Sequence, residues 1–237
     1  MQMYTDEQSL DQVQAEQRSF MAKVYGWMAS ALGVTAFISF FTASSPALLK
    51  LIIGNPILFF GLIIAELMMV GYLAGAINRI SAKSASWIFF GYAALNGLTL
   101  SFIFVAYTST SIATAFFVTA GMFAVMSIYG YTTKKDLTSM GGFMIMGLFG
   151  IIIASVVNLF LRSSTLYWMI TYIGVLIFVG LTAYDTQKIK NMNIIGNEGT
   201  DEDRKEAILG ALKLYLDFIN LFLLMLRILG GRRGSWR

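Results

Sequence analysis

The sequence predicts an all-α integral membrane protein, a seven-transmembrane-helix bundle with its C-terminal helix central. Three observations lead there. Of 237 residues, 57% are hydrophobic and only 13% are charged, about half the charge of a soluble domain, and the mean hydropathy is +0.70. Seven stretches are apolar over the roughly 20 residues that a helix needs to cross a ~30 Å hydrocarbon layer. The seventh stretch alone carries Lys213, Asp217, Asn220 and Arg227. Ionisable groups at membrane depth face protein or water, so that helix belongs inside the other six.

The elements follow in chain order. The first charge-free run lies between Lys23 and Lys50, apolar from Val24 to Leu49, with Pro46 expected to mark the end of its helix. The second starts near Pro56 and reaches Arg79, interrupted by Glu66. No charge occurs between Lys83 and Lys134, which is too long for one span and right for two, broken at the polar tip TSTS (108–111). The fifth runs from Leu137 to Leu161 and the sixth from about Leu166 to Asp185 or a little beyond. A polar loop, NMNIIGNEGTDEDRKE (191–206), leads to the last helix at about 207–229. The organisation expected is a polar cytoplasmic tail (1–19), a single membrane domain (20–230) and a basic C-terminal tail (231–237). The first eighteen residues are polar and mostly acidic, unlike a signal peptide's basic start and short apolar core, so the first span reads as an uncleaved anchor. Glycines within the spans (Gly141, Gly142, Gly147, Gly150, Gly174, Gly180) read as places where helices approach closely.

Lys and Arg in short loops set orientation. Arg18, Lys23, Arg79, Lys83, Lys134, Lys135, Lys188, Lys190, Arg204 and Lys205 fall on one side, against Lys50 and Arg162 on the other. The N-terminus is therefore expected in the cytoplasm. Arg232, Arg233 and Arg237 in the tail conflict with this bias if the last helix crosses fully, and the sequence leaves the side of the C-terminus open.

The chain contains no cysteine and no histidine. Thiol nucleophiles, disulfides, His/Cys zinc sites and His acid–base chemistry are excluded. The net charge of +4 reads as loop charge, so no nucleic-acid partner is expected, nor any cofactor. Any chemistry must use carboxylates, Lys, Arg, Tyr, Ser/Thr or backbone groups, and two carboxylates stand in apolar surroundings: Asp185 in LIFVGLTAYDTQKIK and Asp217 in LKLYLDFINLFLLMLRIL. If helix six continues to Lys190, their depths become similar and the two could meet. Paired carboxylates in a poorly solvated site cannot both ionise cheaply and titrate as a unit. Such a pair could hold a proton, switch a conformation with pH, or bind a hard cation such as calcium through oxygen. The alternative leaves Asp185 as a helix-end residue beside Lys188 and Lys190, and Asp217 neutralised by Lys213 one turn earlier. Glu66, mid-span, is a buried paired residue or a pathway residue. Arg79 is a positive-inside anchor or a latch to a carboxylate. Asn96, Asn158 and Asn220 read as interhelical hydrogen-bond formers.

The segments AYDTQKIKNM and ALKLYLDFINLFLLMLRILG resemble the Bax inhibitor family, also called transmembrane Bax inhibitor motif proteins. VYGWMASALGVTAF, AALNGLTLSFIF, TAGMFAVMSIYGYTTKKDL and YIGVLIFVGLTAYDTQ are similar to its bacterial inner-membrane members, and the likeness covers about residues 20–230. The resemblance implies a multi-pass protein of the bacterial inner membrane whose last helix is central. It also implies a pH-sensitive calcium leak, a channel rather than an enzyme, with calcium or other cations as the transported ion. Asp185 and Asp217 match the family's sensor aspartates, and the family's latch arginine falls at Arg79. The segment GYLAGAINRISAKS offers a single arginine where relatives can have several basic residues, and Lys213 departs from the pattern in a way that could dull a pH response. Two further readings remain. One is an intramembrane aspartyl protease, but LYLD stands where that class carries GxGD. The other is a regulatory protein that contacts a membrane-bound protease or another membrane complex through the polar N-terminal segment.

Overall fold

The computed structural model describes the backbone of residues 2–231 and the side chains of residues 11–231. Arg232, Arg233 and Arg237 of the expected basic tail lie outside the described residues. The described residues form helices and no strand, in the order α1 (Gln2–Ala43), α2 (Pro46–Ile52), α3 (Pro56–Ala76), α4 (Ala82–Leu100), α5 (Phe102–Ala106), α6 (Ser109–Thr132), α7 (Thr138–Leu161), α8 (Ser164–Met192) and α9 (Asp201–Leu229). Among the described residues, seven helices are long and apolar enough to cross a membrane, with α4 and α5 together making one of them.

The helix starts are written in the chain. Ser45 and Asn55 cap α2 and α3, each with proline at the following position, where its fixed φ suits a first helical turn and its missing N–H costs nothing. Pro46 therefore opens a short helix, and the first span has already ended at Ala43. Ser81 caps α4, and Thr108 caps α6 by accepting from Ser111 N at 3.2 Å, so the TSTS tip is indeed where the long run breaks. Three boundaries differ from expectation. α1 runs back through the polar segment that reads as a tail. α8 continues to Met192. α9 begins at Asp201, six residues early, because three acidic residues fill its first turn and complement the positive end of the helix dipole.

Two compact units can be distinguished by their internal packing. The first comprises residues 1–102 and 189–215, the second residues 103–188 and 216–237. In the first, α4 packs on α1 and α3. Gly97 makes the α1 contact, since a Cβ there would come within 2.8 Å of Thr35 O. The loop between α8 and α9 is tied to α1. Lys23 Nζ lies 2.7 Å from Asp203 Oδ2 and 3.4 Å from Glu198 Oε1. Ser19 donates to Glu198, Gly196 N donates to Glu16 Oε2 at 2.8 Å, and Gly199 N donates to Asp203 Oδ2 at 2.9 Å. Gly196 and Gly199 adopt φ of 89° and 82°, the left-handed region where glycine is unstrained. The Ser19 hydroxyl, and then the Lys23 ammonium, hold the Glu198 carboxyl below the usual carboxylate range.

In the second unit, helices approach at glycines. A Cβ on Gly130 would sit 2.2 Å from Ala183 O, one on Gly141 2.3 Å from the Tyr184 ring, and one on Gly180 2.9 Å from Met144 Sδ. Gly147 and Gly174 likewise admit Ile177 and Leu224. Gly142 and Gly150 do not serve this role: a Cβ there meets open space. Lipid tails are as apolar as leucine, so the attraction between such helices is close contact rather than expulsion of water. Burial is graded accordingly. In the most apolar window of α7 no residue is buried, whereas 72% of that of α9 is, the largest share of the seven. The polar residues of the last helix are thus carried by the least lipid-exposed span.

Gly130→Ala is expected to destabilise the protein by about 1–3 kcal/mol, because backbone at Ala183 must move, while Gly142→Ala is near neutral; thermal unfolding in one detergent compares them. Lys23→Met should lower hydrogen-exchange protection of the Gly196 and Gly199 amides by roughly tenfold, the worth of a charge-assisted bond. Glu198 titrates lower folded than unfolded. Its contribution is therefore present above the unfolded value and lost as pH falls through the folded one, so wild-type protection at this loop, corrected for intrinsic exchange, should decline only under acid conditions.

Candidate functional site

The second unit holds both sequence-nominated aspartates. Because α8 continues past Lys190, Asp185 stands seven residues before its end, about 10 Å along the axis, and is half-buried. Asp217 is buried, with 5% exposure, and stands sixteen residues into α9, about 24 Å along the axis from its start.

Both positions are held by their neighbours. On α8, Thr186 is fully buried and shares a hydrogen bond with Ser127 of α6 at 2.9 Å. The Tyr184 ring covers Gly141 of α7, and its hydroxyl accepts from Lys188 Nζ at 3.2 Å. Gln187 accepts from Leu137 N at 2.9 Å and donates to Lys135 O at 2.8 Å, which fastens the α6–α7 turn to α8. The residues before and after Asp185 are thus anchored on two helices and a turn. On α9, Phe218 meets Phe116 and Phe123 of α6 edge-on at 5.6 and 5.5 Å, a favoured aromatic geometry that sets the helix rotation at Asp217.

The first unit holds Glu66, Arg79 and Lys213. Arg79 closes a short turn after α3, is exposed, and makes no ion pair among the described residues. Lys213 is half-buried. Glu66 is half-buried and well supplied with donors: Asn96 Nδ2 donates to Oε2 at 3.1 Å, and the Thr99 hydroxyl lies 2.8 Å from Oε1. Beyond Asn96 the chain of bonds continues. Its Oδ1 accepts from the Tyr215 hydroxyl at 3.1 Å, and that hydroxyl lies 2.6 Å from Thr35 Oγ1. Phe89 and Tyr92 box the Tyr215 ring edge-on at 6.1 and 5.5 Å. Four helices, α1, α9, α4 and α3, are linked through one continuous polar path.

Sequence reasoning found the acid and one amide of this network and missed Thr35, Thr99 and Tyr215. Tyr215 was the available signal. It stands two residues before Asp217, and residues two apart lie on opposite sides of a helix. Asn96 bonds between helices as expected. Asn158 instead accepts from Ser163 N at 3.0 Å, finishing its own helix, and Asn220 donates to Leu216 O at 2.8 Å within α9. No group of three or more acidic, His or Cys side chains that could hold a metal occurs among the described residues. Two carboxylates offer at most four of the six to eight oxygens calcium prefers, so backbone carbonyls or water would supply the rest beside Asp185 and Asp217.

The family model described as inhibitor of apoptosis-promoting Bax1 matches residues 17–234. The Escherichia coli K12 inner membrane protein YbhL is 52% identical over 234 residues, covering 98% of this chain and 100% of that protein. A Borreliella burgdorferi protein is 47% identical over 216 residues, 91% of this chain and 93% of its own length. A Streptococcus pyogenes membrane protein is 40% identical over 213 residues, 89% of this chain and 92% of its own.

Tyr215→Phe is expected to cost about 1 kcal/mol, since Asn96 and Thr35 each lose a partner within an apolar span. Tyr184→Phe removes only a bond to an exposed lysine and should be near neutral. Unfolding in a common detergent separates the two.

Proposed function

The chain belongs to the Bax inhibitor family, and we propose that it is a pH-sensitive cation leak, with calcium as the transported ion, gated by Asp185 and Asp217. The observation that carries this reading is Asp217, a carboxylate with 5% exposure on the most buried of the seven apolar helices. Acidic residues at membrane depth face protein or a water-filled cavity, and they mark ion paths and proton relays. Asp185 belongs to the same compact unit and sits on a helix segment clamped on both sides, which suits a group whose protonation must be coupled to helix position. Protonation removes charge from the pair, and deprotonation restores repulsion between like charges. Cation passage needs oxygen ligands that release their ion, and two carboxylates completed by water fit transit better than storage. Glu66 acts as a pathway residue and Arg79 as a latch in this reading, while Lys213 tempers the response of Asp217. The Lys/Arg bias and the name of the Escherichia coli relative support a bacterial inner-membrane setting with the N-terminus in the cytoplasm.

A second reading, regulation of a membrane-bound partner, draws on α1. At 42 residues it is about twice the length a bilayer crossing needs, and Asp11, Gln12, Gln14 and Arg18 on its polar part are exposed.

Calcium flux into liposomes holding the pure protein, followed from about pH 6 to about pH 8, tests the leak. Wild-type flux should vary with pH, and Asp217→Asn should flatten the profile while the fold is retained. A folded protein that conducts at no pH would sink the leak and favour the partner reading, which in turn expects activity only in native membranes and dependence on residues 1–20.

A further inference from the structure

The far end of α9 carries a feature that the carboxylate chemistry does not use. A concave pocket of about 470 Å³ is lined by Tyr107, Tyr167, Trp168, Arg227 and the backbone at Gly230 and Gly231, a size within the range of small-ligand sites. All of these residues belong to the second unit. They come from three places in the chain: the turn before α6, the first turns of α8, and the end of α9. In a chain that crosses the bilayer at each long helix, these three places emerge on the same side.

The pocket is built rather than incidental. The Tyr107 ring packs on Gly230, where a Cβ would come within 2.5 Å of it. Thr108 N donates to Gly231 O at 3.3 Å, and Gly231 N donates to Ser111 Oγ at 2.9 Å, which straps the end of α9 to the start of α6. Arg227, in the last turn of α9, lies over the Tyr167 ring with its guanidinium carbon 5.1 Å from the centroid. Trp168 stands edge-on to Tyr167 at 5.6 Å. A cation–π contact of this kind engages the charge through the ring face and takes no hydrogen-bond acceptor. Arg227 is exposed, and among the described residues it makes no ion pair and no acidic side chain lines the pocket.

Tyrosine and tryptophan concentrate where a span meets the headgroup layer. A stacked, carboxylate-free guanidinium at that depth presents a planar donor fork matched to phosphate oxygens. We infer that this pocket binds the phosphodiester headgroup of an anionic membrane lipid, with Arg227 holding the phosphate and Tyr107, Tyr167 and Trp168 forming the interfacial walls. The same donors would accept soluble inorganic phosphate, but the pocket's place at the end of three spans favours the lipid, which is concentrated there.

Native mass spectrometry of the full chain, released from nanodiscs of mixed phosphatidylglycerol and phosphatidylcholine, reads this directly. Wild type should retain phosphatidylglycerol over phosphatidylcholine, and Arg227→Gln should lose that preference by roughly tenfold, the effect of removing a charged hydrogen-bond donor. Tyr167→Leu, which keeps apolar bulk without the ring, should weaken it less. Unchanged preference in Arg227→Gln overturns the assignment. So does loss of preference on removing residues 232–237 alone, because tail arginines would then be the binding groups. Displacement of the lipid by millimolar inorganic phosphate would overturn the lipid as occupant and leave a free-anion site, whereas retention under phosphate supports the headgroup.

Discussion

A buried carboxylate on the last helix constrains everything packed around it. Asp217 is buried in an apolar span, and an ionisable side chain at that depth faces protein or water rather than lipid. That face has to be covered by protein, and in its most apolar window α9 accordingly has the largest buried share of the seven apolar helices while α7 has none. Covering a helix inside a bilayer gains little from the hydrophobic effect, since leaving lipid for protein exchanges one apolar contact for another. The covering has to come from close contact and from satisfied polar groups.

Close contact is supplied by glycines that are spaced to face neighbours. Gly130, Gly141 and Gly180 bring α6 and α7 against the very segment of α8 that leads to Asp185. The polar bonds around that segment, Ser127 with Thr186 and Gln187 with the α6–α7 turn, then set its rotation. Asp185 thus stands on a helix segment whose rotation its neighbours on α6 and α7 fix.

The first unit solves a different problem with the same means. Glu66 is placed mid-span among apolar residues, and both of its oxygens meet donors from α4. Tyr215 extends the path to α1, so a single chain of hydroxyls and amides joins four helices. Its position opposite Asp217 on α9 gives that helix polar business on two sides. A helix with needs on two sides cannot rotate to satisfy one without disturbing the other.

The number and order of spans, the break of the long run at TSTS, and the location of acidic residues within apolar runs were legible in the residues alone. So was the family likeness, carried by segments such as LYLDFINLFLLMLR. These are local properties: hydropathy over roughly 20 residues, a polar tip between two apolar runs, a motif read in order. The polar partners were not legible. Nothing near Glu66 in sequence points to Thr99 or Tyr215, and nothing in GGFMIMGLFG says that Gly141 faces Tyr184 while Gly142 faces open space. Nor does the order of residues announce that Tyr107, Tyr167 and Arg227 line one pocket. Those pairings depend on how helices cross and rotate against one another. That geometry is settled by the packing of all the spans together, so only the tertiary structure decides it.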